Sequence, residues 1–288
     1  TPQINHMVLE SLINPLKAER KPVHMLFFGA LYASVAVFLS LWIFKEEASM
    51  IVVFLTVLAT VPLMYRTIRY EEEKDLKIKD ETTILKEHGR ALEFFMFLFM
   101  GCVIGFVIWF VFLPHALVQE LFSTQLFTIN VINNKVTGDV VSSDIFFNII
   151  SNNFKVMFFC LFFSFFYGAG AIFILTWNAS VIASAIGTYI RTNIALYAEH
   201  AGYYKVAGYF QVVSVGLFRY MTHGVFEILA YFIAGLAGGL ISVAIIRHNI
   251  GDKQFNKVFL DSMILLIIAA LVTVFAGFVE VYITPSLF

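Results

Sequence analysis

The chain has 288 residues, of which 60% are hydrophobic, 17% aromatic and only 14% charged, with a formal net charge of -1. Such a composition excludes a soluble globular domain, because the polar residue left between its long apolar stretches amounts to loops and tails. The cations stand at the ends of those stretches and in one loop, as membrane topology alone would place them, so nucleic acid is not an expected partner.

Residues 1–24 carry Lys17, Arg20 and Lys21 and read as a cytoplasmic N-terminal segment, followed by a single membrane domain over residues 25–288. Apolar stretches at residues 25–44, 50–68, 94–113, 154–177, 179–197, 225–246 and 258–283 are the candidate spans. Most approach the roughly 20 residues that a helix needs to cross a hydrocarbon core of about 30 Å. The first begins too far in and runs too long for a signal peptide, so it is expected to remain as an anchor. Arg191 and Asn193 interrupt the fifth, which leaves a short span or half of a hairpin open. The apolar run at residues 206–218 suits a re-entrant or interfacial helix, with Gly224 marking a break before the sixth span. The expected fold is therefore all-α: a polytopic transmembrane helical bundle of about seven spans plus that extra helix.

Arg66, Arg69, Lys74, Lys77, Lys79, Lys86 and Arg90 crowd the segment between the second and third spans, which puts the loop at residues 69–93 in the cytoplasm. Mixed charges at helical spacing, such as Glu73 to Lys77, read there as a solvated helix. Alternation places the loop at residues 114–153 outside, where Asn130, Asn133, Asn134, Thr137, Gly138, Asp139, Ser142, Ser143 and Asp144 are turn formers between two amphipathic pieces. Seven crossings in a cell membrane leave the N-terminus cytoplasmic and the C-terminus exterior. Cys102 and Cys160 each lie in an apolar run, where a thiol acts as a small hydrophobe, and no disulfide is expected.

Several blocks then add up in order and spacing. They are Ser151-Asn152-Asn153-Phe154, Tyr167-Gly168-Ala169-Gly170, Leu175-Thr176-Trp177-Asn178-Ala179, His223-Gly224-Val225-Phe226-Glu227 and Glu280-Val281-Tyr282-Ile283-Thr284-Pro285. With Pro22, Gly29, a helix end at Pro62 and Glu71-Glu72 before them, the set resembles the stage II sporulation protein M family, in particular its longer archaeal members. That resemblance implies an integral membrane protein that serves secreted wall hydrolases as a scaffold and is not itself a hydrolase. The chain departs from the family's usual Asn-Gly in having Asn178-Ala179, which loosens the expectation of a tight glycine turn there.

Arg219, His223 and Glu227 fall at i, i+4 and i+8 in an apolar setting, so a helix would stack them on one face. Ionisable groups in hydrocarbon are costly and point to function. Two readings stay open: a polar network lining a substrate or proton path, and a set that satisfies backbone exposed at the break. Asn152, Asn153, Asn178 and Glu280 are the candidate further members. Asn152 and Asn153 read either as caps of the fourth span or as partners of Glu227, and Glu280 as a network member or a solvated helix end. His223 and Glu227 alone make no metal site. Added donors from Glu199, His200, Glu280 or Asn153 are not demanded by any spacing, and neither metal nor cofactor is expected.

Gly168, Gly170, Gly235 and Gly239 remove side-chain bulk and let helices approach closely, within one chain or in a homo-oligomer. Phenylalanines such as Phe158, Phe159, Phe162 and Phe166 are expected to face lipid. No nucleophile elbow, zinc-protease motif or phosphate loop is present, so an enzyme is not expected. The leading expectation is a scaffold or assembly platform whose two loops meet protein partners. The alternative is a channel or proton-coupled transporter with its site at Arg219, His223 and Glu227.

Overall fold

In lipid a chain has to satisfy its backbone N–H and C=O groups within itself. Over the described residues, 22–78, 80–136, 142–194 and 203–287, the computed structural model does so with helices and no strand. Helix α1 is Val23–Ile43, α2 Ala48–Lys77 and α3 Glu81–Phe112. Two shorter helices follow, α4 at His115–Leu121 and α5 at Ser123–Val136. The remainder comprises α6 Ser142–Tyr167, α7 Ala171–Ile194, α8 Tyr203–Arg247 and α9 Lys253–Phe278. A π-helical turn, Val279–Ile283, and α10, Thr284–Leu287, close the chain. Seven of these helices, α1, α2, α3, α6, α7, α8 and α9 with its extension, are long and apolar enough to cross a membrane.

Small residues decide how closely they pack. A Cβ on Gly29 would lie 2.1 Å from the Leu98 carbonyl oxygen, and one on Gly101 2.2 Å from that of Leu26, so α1 and α3 meet backbone to backbone and run parallel. Helix α8 is the central element: 89% of its most apolar window is buried, against 17% for α6, whose Phe158, Phe159, Phe162 and Phe166 are exposed. Gly235 sits against Ala171, Gly238 over the Leu161 carbonyl and Gly239 over that of Gly168, so this small-residue face of α8 is used up inside the chain.

Four boundaries differ from the sequence reading. The turn between the fourth and fifth spans is at Gly168, whose φ of +68° favours glycine, and Gly170 passes close over the Phe163 carbonyl. Asn178 lies within α7 and donates to the Ile174 carbonyl, 2.8 Å away. The fifth span is a full helix of 24 residues, and Arg191 in its last turn donates to the carbonyls of Val111 and Leu113 while covering the Phe110 ring. Pro62 lies inside α2, where the Thr56 and Thr60 hydroxyls bond back to carbonyls of the preceding turn. The fourth correction is the largest. Gly224 does not break the chain, and the apolar run at residues 206–218 belongs to the same helix as the sixth span: α8 is continuous over 45 residues, about 67 Å at 1.5 Å per residue.

The two loops are also more ordered than their composition suggests. Helices α2 and α3 leave residues 78–80 as their connection, with Asp80 capping α3 by accepting from the Thr83 N–H at 2.8 Å. Hydrogen bonds from the Thr83 and Thr82 hydroxyls and the Thr83 N–H hold that carboxyl below the usual carboxylate value. On the opposite side, α4 and α5 fold back onto the bundle. Phe122 packs with Phe106 and Phe110, and buried Gln125 donates to the Ser49 carbonyl at 3.0 Å and the Ser180 hydroxyl at 3.2 Å. The turn formers Thr137, Gly138 and Asp139, and the side chains of Asn133, Asn134, Ser142, Ser143 and Asp144, lie outside the described residues, as do residues 1–21, Glu199 and His200.

Candidate functional site

His223, Glu227 and Tyr231 succeed one another every fourth residue along α8, so one helical face carries all three. Opposite them α6 presents Asn153, and the π-helical turn presents Glu280 with Thr284 just after it. Asn153 donates from Nδ2 to Glu227 Oε1 at 2.7 Å and accepts at Oδ1 from the Tyr231 hydroxyl at 3.0 Å. Both ends of the amide are thereby used, and its orientation follows from the network. His223 Nδ1 lies 3.3 Å from the Thr284 hydroxyl, which bonds the Val279 carbonyl across the π turn at 3.1 Å. The Glu280 carboxyl meets that of Glu227.

Asn153, Tyr231 and Thr284 are buried, whereas His223, Glu227 and Glu280 are half-buried. Phe232 of α8 stacks on Phe95 of α3, with ring centres 5.6 Å apart. Glu227 lies five residues before Phe232 on α8, about 7.5 Å from that stack and within the depth of the apolar stretch of α3. The structure leaves three expected members out. Arg219 is exposed one turn before His223, Asn152 is exposed on α6, and Asn178 is turned to its own helix. The fourth span, α6, begins at Ser142, so Asn152 and Asn153 lie well inside it and do not cap it. Tyr231 and Thr284 were not anticipated, although Tyr231 continues the four-residue spacing of His223 and Glu227. Among the described residues no group of three His, Cys, Asp or Glu is placed to hold a metal ion.

A second polar centre lies where α2 ends, α3 begins and α8 turns into α9, outside the apolar stretches. Its core is buried, in contrast to the solvated helix expected of residues 69–93. Glu71, Glu72 and Asp75 are 0% exposed and His88 1%. Glu71 accepts from His88 Nδ1 at 2.8 Å and from Lys74 at 2.7 Å, and Lys74 also reaches Glu87 at 3.3 Å. His88 Nε2 lies 3.0 Å from Asp75 Oδ1 but out of line for a hydrogen bond, and neither Asp75 carboxylate oxygen accepts one from the described residues. Glu72 takes Arg247 on one oxygen and His248 on the other, the latter at 2.7 Å. Lys257 donates to the backbone carbonyls of Asp75 and Ile78.

The family described as "Stage II sporulation protein M" matches residues 94–285, about two thirds of the chain. The chain belongs to the stage II sporulation protein M family. An uncharacterized protein of Methanocaldococcus jannaschii, MJ0793, is 29% identical over 150 residues, covering 49% of this chain and 71% of that relative. No solved structure matches. All six residues of the mid-depth network fall within the stage II sporulation protein M match, whereas Glu71, Glu72, Asp75 and His88 fall before it. The second centre therefore joins an N-terminal addition to the family core through Arg247, His248 and Lys257.

Proposed function

We propose that this protein is a non-enzymatic membrane platform on which other proteins assemble, and that the far end of α8 is its docking element. The observation that carries this reading is the length of that helix. Gly216 packs against Tyr189, and Arg191 nearby bonds the end of α3. Residues 203–215 therefore project about 20 Å past the end of the α3 span. Gly208 and Val212 are buried on one face, but the exposed face is largely apolar, with Val206 at 66% and Phe210 at 75% exposure beside Gln211, beyond the depth where lipid tails would cover them. Folding of α4 and α5 onto the bundle leaves less of the segment at residues 114–153 for a partner, so the docking role passes to α8.

Replacing Val206 and Phe210 by Ser in cells of the source organism tests this. Crosslinking should capture a partner on the parent and lose it on the variant. Recovery of the parent alone after mild crosslinking would contradict it.

Transport is the second reading, and the contact between Glu227 and Glu280 favours it: two acids at such depth are costly for architecture alone. It has lost the broken helix that suggested a midplane site like those of transporters. In proteoliposomes, a proton flux in the parent that Glu227→Gln abolishes would support it. Absence of flux in the parent across a broad substrate panel would count against it.

A further inference from the structure

Histidine between two carboxylates has only one arrangement in which both contacts attract. Neutral imidazole carries one N–H, so one of its nitrogens would turn a lone pair toward an anionic oxygen, whereas imidazolium donates from both. His88 is in this position, with Glu71 on Nδ1 and Asp75 on Nε2, and all three side chains are buried. Asp75 is bound on its backbone side as well, since its carbonyl receives Lys257 from α9. Its buried carboxylate accepts no hydrogen bond from the described residues and lies 3.0 Å from His88 Nε2.

We propose that Glu71, Asp75 and His88 form a proton-binding site whose occupancy locks the N-terminal helices onto the family core. The ligand is a single proton, taken up by the imidazole ring with no other bond made or broken. While it is held, the positive ring lies between two negative groups. When it leaves, Glu71 and Asp75 face each other across a neutral ring at i, i+4 on α2, a like-charge arrangement that destabilises a helix even at its surface. The end of α2 then shifts, and the Asp75 carbonyl draws away from Lys257.

The groups facing His88 all belong to this centre. Helix α2 supplies Glu71, Asp75 and, through Glu71, Lys74. Helix α3 itself supplies Glu87 by way of Lys74, and α9 supplies Lys257. Beside them Glu72 and Glu73 of α2 engage Arg247, and Glu72 also His248. Among the described residues His248 meets one carboxylate, that of Glu72, so it is the control histidine.

Nitrogen NMR of histidine-labelled full-length protein in lipid nanodiscs, with His88 identified by its loss in His88→Gln, reads the proton directly. At about pH 7.5, above the ordinary histidine value of about 6.5, both ring nitrogens of His88 should be protonated. Spin labels replacing Lys77 and Gln254 should show the ends of α2 and α9 separating by several ångström as the pH rises toward about 9.5, where free lysine is still charged. The His88→Gln variant should not respond in that range. If it fails to fold, the Asp75→Asn/His88→Gln double variant, which removes one charge of each sign, takes its place. A singly protonated His88 ring at about pH 7.5, or an equal separation without His88, would overturn the proposal.

Discussion

The two polar centres solve the same problem with different chemistry, and depth explains the difference. At the level of Glu227 the partners are an amide, a phenol, a hydroxyl and a second carboxyl, so the acids are met by neutral donors or by each other. At the second centre the partners are basic side chains: Arg247 and His248 on Glu72, Lys74 and His88 on Glu71. An ionised side chain is most costly at the middle of the bilayer and least where its partners can reach the interface. The deep network therefore fixes helices mostly through neutral hydrogen-bonding partners, whereas the second joins segments through acid–base pairs. Their positions agree with these tasks, because the first ties α6, α8 and the π turn within the family core and the second ties α2 and α3 to it.

Breaking each centre should cost differently. The largest effect is expected from Glu72→Ala, which leaves Arg247 and His248 without their shared acid. Because Arg247 is 34% exposed, the loss should be about 3 kcal/mol, the low end for a broken buried pair. It would be measured by reversible unfolding in lipid, with hydrogen exchange rising first at the ends of α2 and α8. Asn153→Ala should cost about 1–3 kcal/mol, since it leaves the Tyr231 hydroxyl and one Glu227 oxygen without their partner. Exchange should then rise along α6 and not at the second centre. An equal rise at both ends would merge the two centres into one unit. Thr284→Val removes a single neutral contact to His223 and one to the Val279 carbonyl, for about 1 kcal/mol by the same measurement.

Exposed charge should matter least. Lys77 and Glu73 are 3.9 Å apart with Lys77 mostly in solvent, so Lys77→Ala should change stability by less than about 0.5 kcal/mol. At the cap of α3 the Asp80 carboxyl is held below its ordinary value by its Thr83 and Thr82 hydrogen bonds. Its contribution is complete above the unfolded value and disappears as the pH falls through the lower folded one. Asp80→Asn should therefore flatten the acid limb of a stability profile while leaving neutral pH nearly unchanged.

Much of the bundle could be read from apolar length alone. Seven stretches became seven helices because hydrocarbon leaves a chain few alternatives. Local pattern misled at three places for physical reasons. Arg191 looked like the end of a short span, but it reaches carbonyls at the end of α3, which no local pattern shows. Gly224 has open space around it and serves as an ordinary helical residue, so its flexibility was no guide. Residues 69–93 looked solvated because their i, i+4 pairs satisfy a helix on its own. Glu71 and Asp75 were the discordant sign, since like charges at that spacing call for a cation between them. The deep site was half legible: His223 and Glu227 share a helix face, but Asn153 is 74 residues from Glu227 and meets it only through packing.

The continuity of α8 underlies both the projecting platform and the exclusion of a broken-helix site. A pulsed electron resonance distance between spin labels at positions 206 and 246, both exposed, tests it in lipid. One unbroken helix places them about 60 Å apart, in a narrow distribution. A distance well below that, or a broad spread centred there, would mean that the chain turns near Gly224 and would contradict the account.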